Sequence, residues 1–173
     1  SVLRKCLDAI NGSSMTLARS ALNSLLPVSC IERSEASNAF YHRVKDNPVV
    51  LDNWFAFQAS LPANNAIENV QNLLNHPKFD IKSPNSIRAV LGGFISNTMA
   101  FHSLDGSGYM FLAEQLIEID RRNPITASRV AKAFSKWKSY LSPHQKLMYK
   151  AIKKTSNSNL SSNTREVVDL ILN

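Results

Sequence analysis

The sequence predicts an all-α protein of about eight or nine short helices, packed as antiparallel pairs. Three observations support this fold class. Helix-start signals recur along the chain, each segment between them carries one apolar stripe at helical spacing, and no alternating run long enough for a strand remains. Only 5 glycines occur in 173 residues, which disfavours a sandwich or barrel with many tight turns.

Length and composition are those of one globular domain. The chain has 173 residues, of which 44% are hydrophobic and 19% charged. A chain of this size buries roughly two-thirds of its unfolded surface, enough for one stable core. We therefore predict a single helical domain over residues 1–173. Cys6 and Cys30 have no metal-ligand neighbours, so we expect both to be reduced, partly buried small apolar residues.

Four helix starts share one chemistry, in which Asn or Ser is followed by Pro. The Asn or Ser side chain can accept a hydrogen bond from a free N–H group of the first turn, and Pro occupies the first helical position, where its missing N–H costs nothing. These starts are Asn47-Pro48, Ser83-Pro84, Asn123-Pro124 and Ser142-Pro143. Two further starts are predicted by capping-box spacing, Asn65 with Glu68 and Asn163 with Glu166.

Each predicted helix carries one apolar stripe, with apolar residues recurring at three- and four-residue intervals. In chain order the stripes span residues 2–10, 50–61, 67–74, 87–95, 111–119, 130–137, 147–152 and 167–171. Short connections between such helices favour antiparallel neighbours. Residues 89–104 form the longest uncharged run, but they include Asn, Ser, Thr, His and two glycines, so we predict no membrane span.

The segment around Gly106 contains the three groups of a hydrolytic triad in His102, Asp105 and Ser107. Residues this close in a glycine-containing turn rarely aim three side chains in series, and no strand–turn–helix elbow is present. We predict instead that Gly106 and Gly108 allow backbone angles closed to other residues. Asp105 or Ser107 would then cap the helix that follows.

The most distinctive segment spans residues 84–129. It reads Pro-Asn-Ser-Ile-Arg-Ala-Val-Leu-Gly-Gly-Phe at 84–94, Phe-His-Ser-Leu-Asp-Gly-Ser-Gly-Tyr at 101–109 and Asn-Pro-Ile-Thr-Ala-Ser-Arg at 123–129. Asp-Asn-Trp-Phe at 52–55 and His-Pro-Lys-Phe at 76–79 agree as well. In this order and spacing, the blocks resemble the end of the C-terminal helical domain of M1-family zinc aminopeptidases of the bacterial alanyl type. The resemblance implies the later part of that domain, within an α-superhelix of paired helices and a longer parent chain.

The catalytic zinc site of that family requires His-Glu-x-x-His on one helix. The chain has 4 histidines, and none lies in this pattern. We therefore expect no catalytic residue, metal ligand or cofactor in this chain, with zinc bound elsewhere in the parent enzyme. The resemblance implies that the domain packs on the catalytic domain of its own parent chain, encloses the active-site cavity and limits the access of peptide substrates. It also implies a cytoplasmic location.

Arg88 and Arg129 are the candidate substrate-cavity residues. Each lies one turn inside a helix that begins with Ser-Pro or Asn-Pro, close to a helix N-terminus that attracts anions. By resemblance, both positions match arginines that line the enclosed cavity and face the C-terminal side of bound peptides. The chain departs from the family pattern at Ser86, where a second arginine is common, and at Ile125 and Thr126, which replace Gln-Val. We expect Ser86, and His144 where an arginine is also frequent, to weaken the charge of the cavity wall, and Ile125 to remove a polar contact to the cavity.

A basic C-terminal region supports an alternative, a helical binding module for nucleic acid or an acidic protein partner. The net charge is +7, and lysines 132, 136, 138, 146, 150, 153 and 154 flank Trp137 and Tyr140. Basic residues interleaved with aromatic ones can neutralise phosphates and stack on bases. Trp137 also fits its helical apolar stripe, and lysines three or four residues apart usually form one solvated face, so the pattern favours an ordinary helix surface over nucleic-acid binding.

Overall fold

The computed structural model describes residues 2–173, and all regular structure within them is helical. Ser1, the first residue of the predicted domain, lies outside the described residues. The α-helices are α1 (Val2–Asn11), α2 (Met15–Ser24), α3 (Ile31–Val44), α4 (Pro48–Ser60), α5 (Ala66–Leu74), α6 (Pro84–Ser96), α7 (Thr98–Phe101), α8 (Ser107–Asp120), α9 (Pro124–Ala131), α10 (Ser142–Ser156) and α11 (Ser162–Leu172). Two 3₁₀ helices, Lys132–Phe134 and Trp137–Ser139, connect α9 to α10. The predicted all-α class is confirmed.

The number of helices exceeds the prediction, because some helices carry weak signals. Residues 2–173 contain eleven α-helices. Helix α7 has only 4 residues, too few to display a stripe. Helix α2 is capped by Ser14, which accepts from the amide of Leu17, but no proline or capping-box partner marks that start.

Three of the four predicted Asn-Pro or Ser-Pro starts are capped as expected. Asn47 accepts from the amide of Val50, and Ser83 accepts from the amide of Ser86. Asn123 accepts in the same way from the amide of Thr126, at 3.3 Å. In each helix the proline occupies the first turn, where no amide hydrogen is needed.

The other predicted caps are wrong in detail. Helix α10 contains Ser142 as its first residue, and no side chain caps it. Asn65 precedes α5 without a side-chain cap bond, because its amide group pairs with that of Asn69. Helix α11 begins before Asn163, and Ser161 caps it by accepting from the amide of Thr164.

The helices pack mainly against helices close to them in the chain. Helix α1 contacts α2 and α3, α4 contacts α5 and α6, α8 contacts α9 and α10, and α11 contacts α9 and α10. Such a progression is typical of a solenoid, in which each unit buries its apolar face against the next. The most extensive contact is between α4 and α6, where Gly93 lets the backbones approach each other. A continuous core runs through the stack and includes Phe40, Phe94 and Tyr109.

The turn between α7 and α8 requires both of its glycines, for different reasons. Gly106 has φ 76°, the left-handed conformation predicted for it. Gly108 has no positive φ, so that part of the prediction is wrong. A Cβ on Gly108 would lie 2.3 Å from the carbonyl oxygen of Ala100, so this glycine permits close backbone contact instead.

Candidate functional site

Helices α6 and α9 pack against each other and carry one candidate arginine each. Both helices begin with a capped Ser-Pro or Asn-Pro pair, which fixes where their second turns lie. Arg88 and Arg129 occupy those second turns. The two residues that the sequence singles out are therefore on adjacent helices.

Arg88 and Arg129 line one surface groove with a volume of about 340 Å³. The other lining residues are small or apolar: Gly92, Ile95, Val130 and Ala133. We call this surface the arginine groove. No carboxylate lines it, so its two guanidinium groups give it a positive charge beside an apolar lining. This combination suits a ligand with an anionic group next to an apolar one.

The two guanidinium groups have different partners. Arg88 donates from Nη2 to Oδ1 of Asn85 and from Nε to the carbonyl oxygen of Pro84, at 3.3 Å, so it is held along its own helix. Arg129 is exposed and makes no hydrogen bond or ion pair within residues 2–173. Neither arginine is neutralised by a carboxylate of the described residues, and both keep N–H donors for an external anion.

The positions that depart from the family pattern lie outside the arginine groove. Ser86 is buried and donates its hydroxyl hydrogen bond to Oδ1 of Asp52 on α4, at 2.9 Å. Burial raises the pKa of the Asp52 carboxyl, and the hydrogen bond from Ser86 partly opposes this. Ile125 is 57% exposed, whereas Thr126 is buried against the core. Because its hydroxyl bonds to Asp52 on α4, Ser86 stabilises the contact between α4 and α6.

The structure does not align a triad at His102, Asp105 and Ser107. Asp105 Oδ1 accepts hydrogen bonds from the amide and the hydroxyl of Ser107, at 2.9 and 2.7 Å. The hydrogen bonds from Ser107 lower the pKa of Asp105, first through the hydroxyl and then through the amide. His102 instead bonds to Tyr109. The carboxylate thus orients the turn and leaves the imidazole to another network.

Sequence reasoning missed a polar cluster between the α7–α8 turn and α10. The hydroxyl of Tyr109, a fully buried residue, lies 2.6 Å from Nδ1 of His102 and 3.1 Å from Nδ1 of His144. Since a phenol has one hydrogen, it can donate to only one of the two imidazoles. Burial raises the pKa of Tyr109 to about 12, with a further contribution from Tyr140. No short-range pattern marks this cluster, because α10 joins it from far along the chain.

Within residues 2–173, no three His, Cys, Asp or Glu side chains are grouped so that they could hold a metal ion. No helix of that same range is long and apolar enough to cross a membrane.

Trp137, in the basic C-terminal region, contributes to the packing of the fold. Trp137 Nε1 donates to the carbonyl oxygen of Ile171 at 2.7 Å, and its ring packs on Tyr149 with centroids 5.3 Å apart. Lys154 pairs with Glu114, and Lys138 donates to the carbonyl oxygen of Asn173. The indole N–H therefore fixes the end of α11 instead of facing solvent.

The stacked helix pairs define a helical repeat domain. Comparison with known families identifies the family to which it belongs. Residues 2–173 match the family described as "Domain of unknown function (DUF3458_C) ARM repeats". The chain belongs to this family, over its whole described length. The match agrees with the solenoid-like packing order of the helices.

The relatives of the chain are aminopeptidases. Aminopeptidase N of Escherichia coli is 36% identical over 158 residues, which cover 90% of this chain and 18% of that protein. Aminopeptidase N of Caulobacter vibrioides is 33% identical over 160 residues, covering 91% of this chain and 18% of the relative. The structure of Legionella pneumophila aminopeptidase A in complex with aspartic acid is similar with a TM-score of 0.88 and 32% identity, covering 98% of this chain and 20% of that one.

The chain therefore spans less than a quarter of the length of these relatives. The resemblance to the C-terminal helical domain of M1-family aminopeptidases is confirmed, and the chain is homologous to the C-terminal region of aminopeptidase N.

Proposed function

We propose that this chain is the part of a zinc-dependent, cytoplasmic aminopeptidase that encloses the active-site cavity and limits the access of peptide substrates. It packs on the catalytic domain of its own parent chain and supplies no catalytic group. The observation that carries the proposal is the arginine groove, in a chain homologous to aminopeptidase N along its length.

The chemistry of the arginine groove fits the C-terminal side of a peptide. A planar guanidinium binds a carboxylate through two parallel hydrogen bonds, and Arg129 has no competing partner among the described residues. Arg88 is held by Asn85 and the carbonyl oxygen of Pro84, which reduces the side-chain entropy lost on binding. The two arginines would position the peptide, while zinc in the catalytic domain supplies the Lewis acid for hydrolysis.

The test places Arg88→Ala and Arg129→Ala separately in the full-length protein. We expect each change to raise KM for a tripeptide about tenfold, since a charge-assisted hydrogen bond contributes about 1.5–3 kcal/mol. An aminoacyl anilide has no C-terminal carboxylate, so its kcat/KM should stay within about twofold. Unchanged tripeptide kinetics in both variants would contradict the cavity role.

A matched control separates the groove from a general loss of charge. Arg121, the residue after α8, is exposed and pairs with Glu118 of that helix, outside the arginine groove. Arg121→Ala removes the same charge and should leave tripeptide KM unchanged. Arg88→Lys and Arg129→Lys keep the charge but lose the fork, so they should restore only part of the affinity.

A second experiment tests whether the catalytic groups lie outside this chain, in another domain of the parent enzyme. The 173-residue chain with added zinc should not cleave an aminoacyl anilide. Measurable turnover by this chain alone would overturn the proposal that its catalytic groups lie elsewhere in the parent enzyme.

A further inference from the structure

Two consecutive glycines in α6 have different structural status. A Cβ on Gly93 would lie 2.6 Å from the carbonyl oxygen of Ala56 and 2.8 Å from Cβ of Ala59, so close packing with α4 requires this glycine. A Cβ on Gly92 would meet nothing within 4 Å. Gly92 is exposed, and its φ is not positive. Packing and backbone geometry therefore explain Gly93 and leave Gly92 unexplained.

Gly92 also carries a cost for folding. Glycine in a helix interior is less favourable than alanine by about 0.5–1 kcal/mol, because its backbone loses more freedom. Gly92 lies near the middle of α6, where this cost applies in full. Neither packing nor backbone geometry requires glycine at position 92, so folding does not account for this cost. We therefore look to the open space above Gly92 for a functional reason.

That open space belongs to the arginine groove. Gly92 follows Arg88 by one helical turn, so both lie on the same face of α6, and Ile95 continues that face. Val130 and Ala133 close the other side. A side chain at position 92 would enter this groove, because nothing lies within 4 Å of where its Cβ would be. The groove volume of about 340 Å³ is at the low end of the range of about 300–1,000 Å³ typical of ligand pockets, enough for one residue of a peptide.

We propose that Gly92 is a specificity-determining residue, which leaves room for the apolar side chain of a peptide's C-terminal residue while Arg88 and Arg129 bind its carboxylate. The inference rests on the proposed function and adds to it a preference for peptides with an apolar C-terminal residue. Peptides that end in a leucine- or phenylalanine-type residue bind better than peptides that end in glycine, because only the former bury apolar surface against Ile95 and Val130.

The test compares Gly92→Leu with the unmodified full-length protein on alanyl-alanyl-leucine, alanyl-alanyl-glycine and alanyl anilide. Leucine at position 92 fills the groove, so we expect KM for the leucine-ending tripeptide to rise about tenfold, the effect of losing one or two buried methylene groups. KM for the glycine-ending tripeptide should rise less than about threefold, and kcat/KM for the anilide should not change. Asn72→Leu, which adds the same side chain at an exposed position of α5 outside the groove, should change none of these values.

The possible results separate the two proposals. If Gly92→Leu affects both tripeptides equally, or neither of them, while Arg88→Ala still raises tripeptide KM, then the specificity role is wrong and the cavity role stands. If Arg88→Ala and Arg129→Ala are also without effect, the proposed function fails together with this inference. Gly92→Ala serves as the folding check, since it should retain the melting temperature of the unmodified protein or raise it.

Discussion

Thr164 donates its hydroxyl hydrogen bond to Oδ1 of Asp120, joining the first turn of α11 to the last residue of α8. Both residues are buried, Asp120 to 3% and Thr164 to 0% exposure. Asp120 also accepts from the amide and the hydroxyl of Ser161, the residue that caps α11. One carboxylate thus satisfies three donors and determines where α11 begins against α8.

We expect Asp120→Ala to lower the free energy of unfolding by about 3 kcal/mol, because it leaves the part-buried amide and hydroxyl of Ser161 without this acceptor and Thr164 with only the carbonyl oxygen of Pro124. Urea denaturation of the 173-residue chain measures this loss. Asp169, an exposed acid on α11, provides the control, and Asp169→Ala should change stability by less than about 0.5 kcal/mol. Equal losses in the two variants would show that α11 does not depend on Asp120.

The glycine pair of α6 gives a second prediction. Gly93→Ala should lower the free energy of unfolding by about 2 kcal/mol, because the backbone oxygen of Ala56 cannot move away without separating α4 from α6. Gly92→Ala should raise it by about 0.5–1 kcal/mol through helix propensity. Thermal unfolding of the two variants, side by side, measures the opposite signs. Destabilisation by Gly92→Ala would mean that its open space serves the fold instead of a ligand.

Histidine burial predicts that the domain loses stability in mild acid. Burial lowers the pKa of His102, and the neighbouring His144 lowers it further. Burial, followed by the charge of Lys78, also lowers the pKa of His76. Below about pH 6.5 the unfolded chain therefore binds more protons than the folded one, so the contribution of these groups is complete above that pH and declines as pH falls.

The measurement is the melting temperature between about pH 7.5 and about pH 5.5, the window in which unfolded histidines protonate. We expect a decrease across this window that becomes smaller in the double variant His76→Gln/His102→Gln. His42 is exposed, and His42→Gln should keep the full decrease. An unaltered pH dependence in the double variant would contradict the assignment.

Local chemistry explains which features the sequence predicts correctly. Asn47, Ser83 and Asn123 cap their helices as expected, because a cap and its amide lie within one turn. The contact between Asp120 and Thr164 joins residues far apart in the chain, and no periodicity reports it. The same limit hid the histidine cluster around Tyr109.

The arginine groove could be predicted from the sequence only in part. The resemblance singled out Arg88 and Arg129 separately, and only the packing of α6 on α9 shows that they line one surface. The glycine pair of α6 was part of the same motif, yet its two members could be told apart only once the distances to α4 were available.

Trp137 distinguishes a structural from a nucleic-acid-binding use of the basic C-terminal region. Its indole N–H donates to the carbonyl oxygen of Ile171, so Trp137→Phe should lower the free energy of unfolding by about 1 kcal/mol. Tyr149→Phe keeps the ring that packs on Trp137 and removes only an exposed hydroxyl, so it should cost less than about 0.5 kcal/mol.

Stacking on a base would require the indole face of Trp137, which Tyr149 covers on one side. We therefore expect no salt-dependent binding of single-stranded oligonucleotides at physiological ionic strength. Binding that Trp137→Phe weakens, without a matching loss of stability, would favour the nucleic-acid module over the cavity wall.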